Sequence, residues 1–314
     1  MKAIDYEYLR KSDREEICVS VLVLVYNHEL YLRQAMDSIL MQKTQYSYRI
    51  IVGEDCSTDN SRNILMDYYK EYPDKIELIL YKENVGAERN WVEVAKICSG
   101  KYIAYLEGDD YWTDPLKIEK QVSFLEKNEQ YIGTAHNVRC VDKNGDFLHR
   151  DFSLYAYQES HIYDFNNVKR VEMVGQTASM LHRNVWKEFK ADDWEKFLLC
   201  DANGDLKMSL ILGSMGEMFF MHDIMVDHRR VFDEGDSWTA KVAGKNMLWI
   251  NYQTRCQIQR YMLETFNVDL NIPLKNLVQV YFKESIVQML CYPSKENLRI
   301  LWNFYRERKK HVKR

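Results

Sequence analysis

The sequence predicts an α/β fold with a mostly parallel central sheet, helices on both faces and a helical C-terminal extension. Three observations carry this. Residues 17–127 alternate β-branched apolar runs with amphipathic ones, the connections between them are short, and beyond residue 240 the pattern is almost wholly helical.

Cys18–Val25 is apolar at every second position and, Ser20 apart, between them too, as in a strand covered on both faces. Across Glu29–Gln42, Leu32, Ala35, Met36, Ile39 and Leu40 recur at helical spacing. Tyr48–Gly53 is a second strand. It runs into the turn EDCSTDNS, where Asp59 is placed to cap a helix reaching Tyr69. Ile76–Tyr81, Glu88–Cys98 and Tyr102–Leu106 read as strand, helix and strand. Asp114-Pro115 opens the next helix, with Asp as cap and Pro at the first helical position. Lys143-Asn144-Gly145-Asp146 signals a tight turn between strand-like runs. Further along, a strand is expected over Gln176–Leu181, a helix from about Leu206 and a strand near Glu217–Asp227. Helices are then expected over Asn246–Thr265, Leu274–Leu290 and Lys295–Lys310.

Bulk properties narrow the function classes. With 314 residues, 46% hydrophobic and 13% aromatic, the chain can bury a substantial core. Its formal net charge of −4 argues against a nucleic-acid partner, which would call for a basic chain. Seven cysteines are scattered without a CxxC pair, so neither a disulfide framework nor a zinc site is expected, and a reducing cytoplasm is the simple reading. No apolar run is long enough for a membrane span, and the opening MKAIDYEYLRKSDREE is too polar for a signal peptide. Strand one meets YNHE rather than GxGxxG, which disfavours a dinucleotide-dependent dehydrogenase, and GxxxxGK[ST] is absent.

In a parallel sheet of this kind, ligands gather at the carboxyl ends of the strands. Those ends carry Tyr26-Asn27, Glu54-Asp55 and Glu107-Gly108-Asp109-Asp110. Clustered carboxylates suit a hard divalent cation, Mg²⁺ or Mn²⁺. Beside a diphosphate they would repel it, and a metal reverses that sign. Because Asp114 already serves as helix cap, Asp109 and Asp110 are read as free for this work.

Four stretches, VSVLVLVYNHELYL, EDCSTDNS, ENVGAERN and GKYIAYLEGDDYW, resemble in order the N-terminal half of the family 2 glycosyltransferases over roughly residues 17–127. The resemblance implies a GT-A fold and inverting transfer of a sugar from a nucleoside-diphosphate donor, UDP- or GDP-linked, with Mn²⁺ or Mg²⁺. It implies that Tyr26, with Asn27 and Glu29, lies at the nucleotide, that Asp55 accepts from the base, and that Arg89 approaches the nucleotide. Asp109 and Asp110 would contact ribose and metal. Glu107 and Glu54 stand where relatives have Asp, and both changes keep the charge.

The stretches QTASMLHRNVW and NGDLKMSLILGSMGEMFFMHDIMVDHRR resemble, more weakly, the acceptor side. That match makes Asp205 the expected general base, with Asp201 in reserve; the competing reading of Asp205 is a helix cap. Relatives carry a His where this chain has Val231, so His228 is a candidate metal neighbour and Arg229 a candidate diphosphate ligand. The expected division is a catalytic domain over 1–238, with a nucleotide half of about 17–127 and an acceptor half of about 128–238, and an extension over 239–314. The expected partners are a nucleoside-diphosphate sugar and a glycan or lipid-linked acceptor. The extension reads either as a cap or homodimer contact, or as a membrane anchor. In the second case Arg306, Arg308, Lys309, Lys310, Lys313 and Arg314 would hold the protein peripherally against an anionic bilayer. Two other readings stand beside the transferase, a nucleotide-sugar-binding module without catalysis and a sugar nucleotidyltransferase. The latter would normally show a Gly-rich basic loop after strand one.

Overall fold

The computed structural model describes residues 4–11, 17–148, 159–230 and 246–312. Val231, Lys313, Arg314 and the expected 238/239 boundary lie outside the described residues.

Among the described residues, a ten-stranded mixed sheet forms the centre. In chain order its first elements are β1 (Tyr6–Leu9), β2 (Val19–Val25), α1 (Leu32–Leu40), β3 (Tyr48–Glu54), α2 (Ser61–Glu71), β4 (Ile76–Tyr81), α3 (Ala87–Ile97) and β5 (Tyr102–Glu107). Strands β4, β3, β2 and β5 are parallel neighbours in that order, and β1 adds antiparallel to the β4 edge. The chain therefore moves outward from β2 to β4 and returns on the other side of β2. This puts the switch in strand order between β2 and β5, where an open parallel sheet leaves a crevice beyond the carboxyl ends.

The second half comprises β6 (Tyr111–Trp112), α4 (Lys117–Lys127), β7 (Tyr131–Val141), β8 (His161–Tyr163), α5 (Phe165–Lys169), β9 (Leu181–Arg183), α6 (Ala191–Leu199), α7 (Gly204–Met215) and β10 (Glu217–Arg229). β9 is antiparallel between β5 and β7, and β10 runs parallel to β7 with β6 and β8 antiparallel on it. Among the described residues three helices follow: α8 (Leu248–Phe266), α9 (Leu274–Cys291) and α10 (Lys295–Val312).

Alternating side chains of the parallel strands feed two cores. Val19, Val21, Val23, Ile50, Val52 and Leu78 meet α1, α2 and α4 on one face. Leu22, Ile51, Ile79 and Tyr105 meet α3, α6, α7 and α8 on the other. This two-sided burial is why the strands read as continuous apolar runs.

Three local expectations are corrected. Gln176–Leu181 is not one strand. A 3-10 turn spans Thr177–Ser179, with the Gln176 side chain accepting from Ala178 N, and only Leu181–Arg183 pairs in the sheet. Asp59 sits one residue before the N-cap Asn60, yet its carboxylate still accepts from Ser61 N at 2.9 Å. Asp114 accepts from Leu116 N within a turn that precedes α4, and the helix proper begins at Lys117.

Candidate functional site

The acidic turn follows β5 directly. Gly108 N donates to Leu24 O at 2.9 Å and Asp110 N to Glu107 O at 3.1 Å, so the turn folds back onto the end of β2. A Cβ at Gly108 would lie 2.6 Å from His28 Nδ1 and 3.1 Å from Val25 Cγ2, which is why the position takes glycine. The short β6 then pairs with Val226–Asp227 of β10. That pairing brings the end of β10 to the turn across 118 residues of sequence.

Asp110 is buried, and both of its oxygens accept hydrogen bonds. Oδ1 accepts from Arg229 N at 2.7 Å, while Oδ2 accepts from His228 Nδ1 at 2.9 Å and Gln176 Nε2 at 3.1 Å. The idea that Asp110 has no duty within the fold is thus corrected: it fastens β10 and the 176–179 turn to the acidic turn. Asp109 is half-buried. Carboxylate oxygens of Glu107, Asp109 and Asp110 all lie within 4.8 Å of one another.

Charge is concentrated here. Burial and then the Asp109, Asp110 and Asp205 carboxylates push Glu107 well above the ordinary range. Burial raises Asp110 as well, with His228 offsetting part of the effect. Burial works against charge on His228, but Asp110, and more weakly Glu107 and Asp109, raise its pKa to about 10. His228 thus sits beside three crowded carboxyl groups, an all-oxygen set. Donors of that chemistry and spacing fit a hard divalent cation.

Asp205 lies across the same space, half-buried in the first turn of α7. The helix is capped by Asn203, whose side chain accepts from Asp205 N at 2.8 Å, so the capping reading of Asp205 is set aside. Its carboxyl, raised by burial, accepts a hydrogen bond from the Thr177 hydroxyl and is electrostatically coupled to His228 and Asp110. Asp201 is exposed before the helix, and its charge acts on Glu88.

The other expected residues are placed as follows. Tyr26 is half-exposed at the end of β2. Asn27 adopts a left-handed backbone (φ 56°), and its Oδ1 accepts from Thr58 N at 2.8 Å. Glu29 and Asp59 exchange hydrogen bonds between loops, Asn60 N to Glu29 Oε2 at 2.8 Å and Glu29 N to Asp59 Oδ2 at 2.9 Å. Asn27 and Glu29 therefore clamp the β2 loop to the β3 loop. Asp55 is buried and takes Val85 N at 2.7 Å and Gly86 N at 3.0 Å, which shapes the loop before α3. Glu54, fully buried, is paired with Arg62. Arg89 pairs with Glu93 at 3.0 Å.

Arg229 is committed to the fold. Nε donates to Asp109 O, Nη1 to Asp142 O and Lys143 O, all at 3.0 Å, and Nη2 to Gln34 Oε1 at 2.9 Å; the guanidinium lies 4.3 Å from the Tyr31 ring centroid. Four of its five donors are spent holding the acidic turn against α1 and the 142–145 turn.

Sequence reasoning missed Gln176 and Thr177 as site residues. They are adjacent, one bonded to Asp110 and the other to Asp205, and no periodicity marks them. It also missed Lys207, fully buried on α7, whose Nζ donates to Phe197 O, Cys200 O and Glu88.

Comparison with known proteins bears on this arrangement. The model of "Glycosyl transferase family 2" matches residues 20–189. An uncharacterised protein of Mycobacterium bovis is 37% identical over 127 residues, 40% of this chain and 37% of that protein. The putative teichuronic acid biosynthesis glycosyltransferase TuaG of Bacillus subtilis is 32% identical over 139 residues, 43% of this chain and 54% of its own. The matches thus span about a third to a half of these relatives' length. Residues 1–349 of S. aureus TarS, solved in complex with UDP-GlcNAc, superpose with a TM-score of 0.64 at 13% identity, covering 94% of this chain and 82% of that one. At that identity the likeness is one of fold.

Proposed function

The chain belongs to glycosyl transferase family 2, and from that premise we propose that it moves a sugar, with inversion, from a UDP- or GDP-linked donor to a hydroxyl of a glycan or lipid-linked glycan. The observation that carries the reading is the Glu107–Asp110 turn at the strand-order switch with Asp205 facing it. The UDP-GlcNAc bound by TarS, a chain of the same fold, supports a nucleotide-sugar donor.

In this reading the nucleotide lies over the β2 and β3 loops, beside Tyr26 and the loop latched by Asp55. Glu107, Asp109 and Asp110 would hold Mn²⁺ or Mg²⁺, with His228 at its edge. A cation there supplies positive charge against the diphosphate as the bond to the sugar breaks. Asp205 accepts the proton of the acceptor hydroxyl as that oxygen attacks the anomeric carbon from the face opposite the diphosphate. Thr177 holds the Asp205 carboxylate in orientation. Gln176 and the β10 end keep Asp110 in register with it.

The test is nucleoside-diphosphate release from a panel of donors with envelope glycan and glycolipid acceptors. Asp205→Asn is expected to lower turnover by roughly 10²–10⁴-fold, the usual worth of a general base, while leaving donor binding intact. A wild-type protein that binds donor with metal yet turns over none of them with any acceptor would leave only a binding module.

A further inference from the structure

The helical extension is charged oppositely to the body it caps. Residues 246–314 hold twelve Lys and Arg against five Asp and Glu, although the whole chain carries a net −4, so the remainder is strongly acidic. Such asymmetry between parts of one chain points to an anionic partner for the basic part.

The extension also leaves an apolar face uncovered. Helix α10 buries Ile300 and Phe304 against Tyr252 and Val278. On its outer side Leu298, Trp302 and Tyr305 follow at i, i+4 and i+7, and they are 55%, 57% and 36% exposed. Together with Phe282 and Ile286 of α9 they line an open groove of about 470 Å³. Leu290 and Tyr292 protrude where α9 meets α10. Cations border the aromatic side chains: Arg308 lies 5.2 Å from the Phe282 ring centroid and Lys309 4.6 Å from that of Tyr305.

We propose that this face docks on an anionic lipid surface. Trp and Tyr favour the headgroup boundary, aliphatic side chains reach past it, and Lys and Arg pair with anionic headgroups. The acidic body is repelled by the same surface, which orients the molecule with its extension down. A second copy of the chain fits the face less well. A two-fold contact is self-complementary, so it would set the Arg308–Lys309 edges of two copies in one interface. No described helix is long and apolar enough to cross a membrane, so contact through this face would be peripheral. The inference stands apart from the transferase reading and does not depend on it.

Flotation of the full chain with phosphatidylcholine vesicles, with and without phosphatidylglycerol, tests it. The protein is expected to float only with phosphatidylglycerol present, and less as salt rises. Replacing three cations (Arg308→Gln, Lys309→Gln, Lys310→Gln) should lower partitioning on the order of a hundredfold. Trp302→Ser should lower it too, with the melting temperature kept in both variants. Three results would overturn the proposal: no flotation of the wild type, equal flotation with neutral vesicles unaffected by the charge changes, or a wild-type dimer that Trp302→Ser splits into monomers.

Discussion

Thr177→Val removes one hydroxyl and keeps the shape of the side chain. That hydroxyl donates to Asp205 Oδ1 from the 3-10 turn, and its neighbour Gln176 is bonded separately to Asp110. A hydrogen bond to a charged group contributes about 1.5–3 kcal/mol. If Asp205 is the base, losing the bond at the reacting carboxylate should lower kcat roughly 10- to 150-fold. The KM for donor should hardly move, because the Thr177 hydroxyl is bonded to Asp205 rather than to the Glu107–Asp110 turn. A second readout separates positioning from simple damage. Burial raises the pKa of Asp205, and the Thr177 bond works against that rise. The base must be ionised to work, so activity falls as pH drops through its pKa, and without the hydroxyl this acid limb moves to higher pH. Thr177→Ser restores both quantities, and Thr177→Val adds nothing in an Asp205→Asn background. The measurement is a pH series of initial rates at saturating acceptor. A Thr177→Val enzyme with wild-type kcat, or one whose Ser variant is equally impaired, would refute the reasoning.

His182, fully buried, is bonded to the Tyr105 hydroxyl at 2.6 Å and the Arg183 carbonyl at 2.6 Å; burial lowers its pKa from 6.5 to about 4, with the carbonyl opposing. The unfolded chain takes up this proton where the folded one refuses it. The contribution is therefore complete above pH ~6.5 and lost as pH falls toward 4, about 3 kcal/mol in all. Urea unfolding should show the stability gap between wild type and His182→Gln narrowing by that amount over the window, and a constant gap contradicts it. Arg229→Met strips four hydrogen bonds from the acidic turn and its neighbours. It should cost about 2–4 kcal/mol in denaturant midpoint analysis and weaken donor binding through a loosened turn. Unchanged stability would show the guanidinium to be dispensable to the fold.

Much of the fold was legible because periodicity is a local property. Ile76–Tyr81 matches its strand residue for residue, and α9 begins at the expected Leu274. The acidic turn was legible too, since it follows directly from a strand end. The unread parts depend on contacts distant in sequence. Asp110 looked free because its partners, Gln176, His228 and Arg229, lie 66, 118 and 119 residues away. Arg229 reads as a candidate diphosphate ligand because its charge is visible in the sequence, whereas the four carbonyl and amide acceptors it also serves are not. Thr177 fell within an apparent strand, since QTASM has strand-like composition; the turn arises from the Gln176 side chain capping Ala178 N. For Asp205, the expected base, the competing reading as a cap could be set aside only once Asn203 was seen to hold that place.

The central claim is that the Glu107–Asp110 turn holds a metal-bound nucleoside diphosphate. The most direct measurement is the melting temperature of wild type and Asp109→Asn with UDP- and GDP-sugars, in Mn²⁺ or in chelator. Ligand at a hundred times its dissociation constant adds about 2.7 kcal/mol of stability. A clear upward shift is expected for the wild type with donor and Mn²⁺, abolished by chelator and by Asp109→Asn. No shift with any nucleotide sugar, or the same shift in chelator and in Asp109→Asn, would contradict it.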